Sequence, residues 1–201
     1  MKVIPCDNKG KFLYPASDGR YMINLGLGRF TAAVTAGAIF TMRNLLTANN
    51  KVITLHKIHL RMGFAGTSAA SSQIVTLRRF NTATHSGGTA ITLPAGAVKN
   101  HINMPNSILL DARYADITAT SPLTETSVVY ESVFDSFNIP RNNGAAVEHM
   151  WQAAVGDHIF LHPGEGLAIS ITQTAVIGDI LVGNVEWDEY DHDVPNYPHG
   201  H

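Results

Sequence analysis

The stretch His162-Pro163-Gly164-Glu165-Gly166-Leu167 is a turn signature that opens directly into an alternating run. Leu167, Ile169 and Ile171 alternate with Ala168, Ser170 and Thr172. After a break at Gly178-Asp179 comes Ile180-Leu181-Val182-Gly183-Asn184-Val185-Glu186-Trp187. Period-two alternation beside turn residues predicts two strands of an antiparallel sheet with one buried face. A chain that closes its core with its last ordered strand is expected to be one complete domain.

Working back from that stretch, the same pattern recurs. Residues 39–45 predict a strand ended by the turn signal Ala48-Asn49-Asn50-Lys51. Residues 52–64 are the longest strand candidate, with Ile58, Leu60, Met62 and Phe64 on one face and Lys57, His59 and Arg61 on the other. Residues 72–80 place Val75 and Leu77 inward, and these two runs read as neighbouring antiparallel strands. Residues 81–107 read as a long connection, a length typical of working surfaces. Strands are expected again at 108–117, 147–155 and 159–161, while 127–137 fits a strand or an anchored loop.

Roughly eight to ten strands with recurrent turn signals predict an all-β fold: a single-domain antiparallel β-sandwich, jelly-roll-like, with an extended N-terminal arm and a C-terminal tail. The expected division is an arm at 1–30, the sandwich at 31–190 and a polar, His- and Pro-rich tail at 191–201. The arm is expected to become ordered on a neighbour or along the domain edge.

Composition agrees. Of the 201 residues, 45% are hydrophobic and 15% charged, and the net charge is −2. No basic field exists to attract nucleic acid. The single cysteine, Cys6, forbids an intramolecular disulfide. The N-terminus has no sustained apolar segment of the signal-peptide kind. No apolar run approaches the roughly 20 residues that a spanning helix needs. A soluble protein made in a reducing cytoplasm, without membrane contact, is the expectation.

Motifs for chemistry are sparse. His56 and His59, three apart on a strand, should point to opposite faces and cannot chelate one metal together. His192, His199 and His201 could bind a divalent ion weakly, though a polar tail is the simpler reading. Asp188, Glu189, Asp191 and Asp193 form an acidic run without the glycine of an EF-hand loop. No Gly-x-Ser-x-Gly, His-Glu-x-x-His or phosphate-loop pattern occurs. The carboxylates Glu125, Glu131, Asp135, Glu148 and Glu165 are dispersed. No catalytic, cofactor-binding or metal residues are therefore expected. Trp151 and Trp187 read as core or sheet-edge residues, or as anchors of a subunit contact. The interaction candidates are Tyr14, Tyr21, Arg29, His85, Trp151 and Trp187.

Several of these stretches together carry a resemblance. They are Arg61 on its strand, Arg78-Arg79-Phe80, the segment His85-Ser86-Gly87-Gly88-Thr89-Ala90-Ile91-Thr92, Pro163-Gly164-Glu165-Gly166-Leu167, and Val185-Glu186-Trp187-Asp188-Glu189. In this succession, over about residues 35–190, the chain resembles small structural proteins, capsid- or tail-associated, of tailed bacteriophages. The resemblance implies a non-enzymatic virion protein, assembled in the host cytoplasm, with no cofactor and no nucleic-acid partner. Its implied partners are the major capsid protein or other virion proteins and copies of itself, a trimer being favoured. A capsid decoration or cement protein is the first expectation. A tail- or fibre-associated module binding host-surface glycans through residues 81–107 is the alternative.

Overall fold

The turn at the head of the C-terminal run is held at both ends. Glu165 N–H donates to the His162 carbonyl at 2.8 Å, and His162 N–H donates back to the Glu165 carboxylate at 2.9 Å. Gly164, at φ 91°, supplies the left-handed residue this turn requires. The computed structural model describes residues 19–25, 27–45, 51–63, 72–91, 97–99, 107, 110–115, 124–140, 146–154 and 158–191. None of the described residues is helical.

The strands are β1 (Gly19–Asn24), β2 (Gly37–Asn44), β3 (Lys51–Gly63), β4 (Ser72–Ser86), β5 (Thr89–Ile91) and β6 (Ala97–Lys99). They continue with β7 (Leu110–Tyr114), β8 (Thr124–Pro140), β9 (Ala146–Gln152), β10 (Ile159–Leu161), β11 (Glu165–Ile171) and β12 (Ile180–Asp191). One sheet has the order β10-β3-β12-β1-β6, with β9 also on β3; the other has β5-β7-β2-β11-β4-β8. The strand pairings in both sheets are antiparallel. The fold is an all-β sandwich.

The pairing is nested. Early strands meet late ones: β1 with β12, β2 with β11, β3 with β9 and β10, and β4 with β8. The strands β9 and β10 share one line, since β9 pairs residues 57–63 of β3 and β10 pairs residues 53–55. Contacts of β12 with β3 and of β11 with β4 complete the two sheets.

This nesting corrects two sequence expectations. The runs now seen as β11 and β12 are not partners in one sheet; they lie in opposite sheets, and residues 172–179 carry the chain between them. Residues 29–34 brace that crossing, with Phe30 N–H on the Asp179 carbonyl and Gly178 N–H on the Phe30 carbonyl, both at 2.8 Å. Likewise β3 and β4 are not neighbours, because each takes a late strand as its partner.

Two further stretches differ from expectation. Within the span read as an arm, residues 19–24 form β1, flanked by β12 and β6 inside the sheet, and Tyr21, Ile23 and Leu25 are buried. Within the span read as a long connection, β4 runs on to Ser86, and β5 and β6 follow.

The core fills the space between the sheets. From the first sheet come Tyr21, Ile23, Leu55, Leu60, Val185 and Trp187; from the second come Phe40, Met42, Leu77, Leu167 and Ile169. All are at most 1% exposed, and each such side chain is worth roughly 1.5–3 kcal/mol of burial. The predicted single buried face fails for β11, where Ala168 and Ser170 are buried as well. The same holds for β2, buried from Ala38 to Asn44. The second sheet is thus buried on both sides at its centre. Among the described residues, the first sheet presents an outer face with exposed side chains, Arg61, Glu148, Met150 and Val182.

Candidate functional site

The open face is built by register. On β3, the inward residues Ile58, Leu60 and Met62 leave Lys57, His59 and Arg61 pointing out. Cross-strand pairing then lines up four rows: Glu148–Arg61–Val182, Met150–His59–Asn184–Asn24, Gln152–Lys57–Glu186–Met22, and finally Asp188–Arg20. Opposite charges meet along them, with Arg61 at 3.7 Å from Glu148 and Lys57 at 3.7 Å from Glu186, and the His59 ring lies 3.8 Å from Glu148.

The last row is the tightest. A bulge between Glu186 and Trp187 leaves His56 without a cross-strand partner on β12. Bulges re-aim side chains, and here His56 Nε2 meets Asp188 Oδ2 at 2.7 Å. Arg20 Nε donates to Asp188 Oδ1 at 3.1 Å from the other side. The Asp188 carboxylate is nearly buried, which by itself raises its pKa. Hydrogen bonds from His56 and Arg20, together with their positive charge, outweigh burial and hold it below its ordinary value. The cluster ties β1, β3 and β12 together, and the His158 ring stands edge-on to His56 with centroids 5.4 Å apart.

Above these rows, a groove of about 500 Å³ opens where β1 ends. Asn24, His59, Arg61, Glu148 and Asn184 bring polar groups to it, and Leu27 and Val182 form an apolar wall. The Asn184 Oδ1 atom is buried and accepts no hydrogen bond from the described residues.

The residues singled out in the sequence are scattered by the fold. Tyr21 and Trp187 are brought together, fully buried and stacked at 5.7 Å. Arg29 is exposed, its backbone bridged to Ile180. His85 lies near the end of β4, paired in register with Glu125. Trp151 is half-buried on β9 and packs edge-on against Phe134 of β8, centroids 5.2 Å apart. Beside it, His149 stacks on Phe137 and bonds Asp135 Oδ2 at 2.7 Å, so this seam joins the two sheets. Tyr14, Cys6 and the tail histidines His192, His199 and His201 lie outside the described residues.

The acidic run is split by the strand. Asp188 faces Arg20 and His56, whereas the buried Glu189 faces inward and accepts from Trp187 Nε1 and the Ser107 hydroxyl. Among the described residues, no group of three or more His, Cys, Asp or Glu is placed to hold a metal ion.

Of the groove residues, the sequence marked His59 and Arg61 as outward positions and Glu148 as one of several dispersed carboxylates. The polar residues of the groove come from four strands, and period-two alternation reports the face of each strand without its neighbours. A scan of protein-family models, a search of curated proteins and a search of solved structures each found no match.

Proposed function

We propose that this chain is a non-enzymatic structural protein of a virion, a capsid-associated jelly roll that decorates or cements the shell as a homo-oligomer, a trimer being favoured. One observation carries the reading. The nested pairs β1·β12, β2·β11, β3·β9/β10 and β4·β8 are the order obtained by rolling one long hairpin into two facing sheets. Double-sheet jelly rolls serve as viral capsid and lectin domains. The interior supports a building-block role, being filled with aliphatic and aromatic side chains. The near-neutral charge also suits close packing of copies. The tail- or fibre-associated glycan module remains the second reading, because lectins share this architecture.

The test is mass in solution by light scattering over a concentration series. It uses the full chain and a variant beginning at Gly19, since a deletion reaching residue 30 would remove β1 from the sheet. A stable multimer of the full chain that is weakened in the shorter one is the expected result. A monomer at every concentration overturns the proposal.

A further inference from the structure

The geometry points to the groove at the end of β1 as a binding site for a neutral saccharide of one or two rings. The groove is a shallow depression of about 500 Å³, open to solvent on one side. Its polar side chains are left with unused bonding capacity. Arg61 and His59 reach Glu148 only at 3.7 and 3.8 Å, beyond hydrogen-bond length. Among the described residues, none bonds the exposed Asn24 side chain. Four polar side chains with accessible capacity, Asn24, His59, Arg61 and Glu148, around one depression suit a ligand that both donates and accepts.

The mixture of groups selects the ligand class. The Arg61 guanidinium only donates, the Glu148 carboxylate only accepts, the Asn24 amide does both, and the His59 ring supplies at least one N–H donor. A sugar hydroxyl also does both. The C–H face of a pyranose ring finds its match in Leu27 and in Val182, 39% exposed and beside the polar row. A simple anion such as sulfate would meet the Glu148 carboxylate along with Arg61, which disfavours it. All these residues belong to one chain, so the site does not rest on the virion reading or on any oligomer.

The test is a titration of the isotope-labelled full chain, followed by backbone amide shifts. The probes are glucose, galactose, mannose, N-acetylglucosamine and disaccharides of these, with sodium sulfate as a separate arm. Saturable shifts centred on Asn24, His59, Arg61, Glu148 and Asn184 are expected with at least one sugar. Arg61→Leu and Glu148→Leu should each weaken binding by about tenfold, the weight of one charge-assisted hydrogen bond. Both side chains are more than half exposed, so the unfolding midpoint and the solution mass should stay unchanged. Asn24→Ala, also at an exposed position, is the reserve variant if either fails to fold. No saturable shift with any sugar overturns the proposal. So do shifts that map elsewhere, shifts that survive these variants, or a response to sulfate alone.

Discussion

Tyr21 and Trp187 sit directly opposite each other on β1 and β12, their rings 5.7 Å apart and within 23° of parallel, and both are sealed from solvent. The first and last described strands therefore meet through the largest side chains of the core. The Trp187 indole also donates to the buried Glu189 carboxylate at 3.2 Å.

Trp187→Ala should cost about 3–5 kcal/mol, because it opens a cavity at the centre of the sandwich. Trp187→Phe should cost less, about 1–3 kcal/mol, since the ring stack survives and the donor to Glu189 is lost. Denaturant unfolding followed by circular dichroism reads both. Equal losses for the two variants would show that the hydrogen bond, and not the packing, dominates.

Asp188 sets a pH dependence. A carboxyl held below its ordinary value of 3.8 adds stability at pH above that value, and the contribution is lost as pH falls through the lower folded-state pKa. The wild-type chain should therefore lose stability on acidification below about pH 4. Asp188→Asn should be less stable at pH 7, with Arg20 and His56 left without their carboxylate, and flatter in this acid window. Parallel stability–pH curves for the two proteins would exclude the assignment.

Gly166 allows no side chain. A Cβ there would sit 2.5 Å from Phe80 Cζ and 2.6 Å from the Met42 carbonyl oxygen. Both neighbours are fully buried, so they have little room to yield. Gly166→Ala should destabilise by about 1–3 kcal/mol, the usual cost of overpacking. A thermal midpoint equal to wild type would show that the β4–β11 pair can spread.

The β8–β9 seam can be loosened selectively. Trp151→Ala removes the edge-on contact with Phe134 and should cost about 2 kcal/mol, in keeping with a half-buried aromatic. Its amide-exchange signature is specific: protection should fall along β9 while the β1–β12 pair keeps its own. Uniform loss across both sheets would mean that the seam is integral to global unfolding.

How far the sequence revealed this arrangement depended on the regularity of each strand. The outward Lys57, His59 and Arg61 between buried Ile58, Leu60 and Met62 were legible because β3 keeps strict alternation there. By contrast, β8 was ambiguous, since the β4–β8 ladder shifts register between Leu77 and Arg78 and again between Asn81 and Thr82. The short run of Tyr21, Ile23 and Leu25 did alternate, but glycine- and lysine-rich surroundings hid it. The partnership of β11 and β12 was misjudged because adjacency in sequence favours adjacency in a sheet, and nested pairing breaks that tendency. The groove was out of reach for the same reason: Asn24 and Asn184 become neighbours only through β1–β12 pairing.

The bond from Arg20 to Asp188 spans 168 positions, and this separation governs how the chain can acquire its structure. Strands β1 and β3 both depend on β12 as their shared neighbour. During synthesis, the amino-terminal strands emerge long before that neighbour exists. Chains are made at roughly 5–20 residues per second, so those strands wait about ten seconds or more for it. Non-local pairing of this kind is slow to form. The nascent protein is therefore most exposed to aggregation just before β12 leaves the ribosome, and loss of that strand leaves the first sheet without its centre.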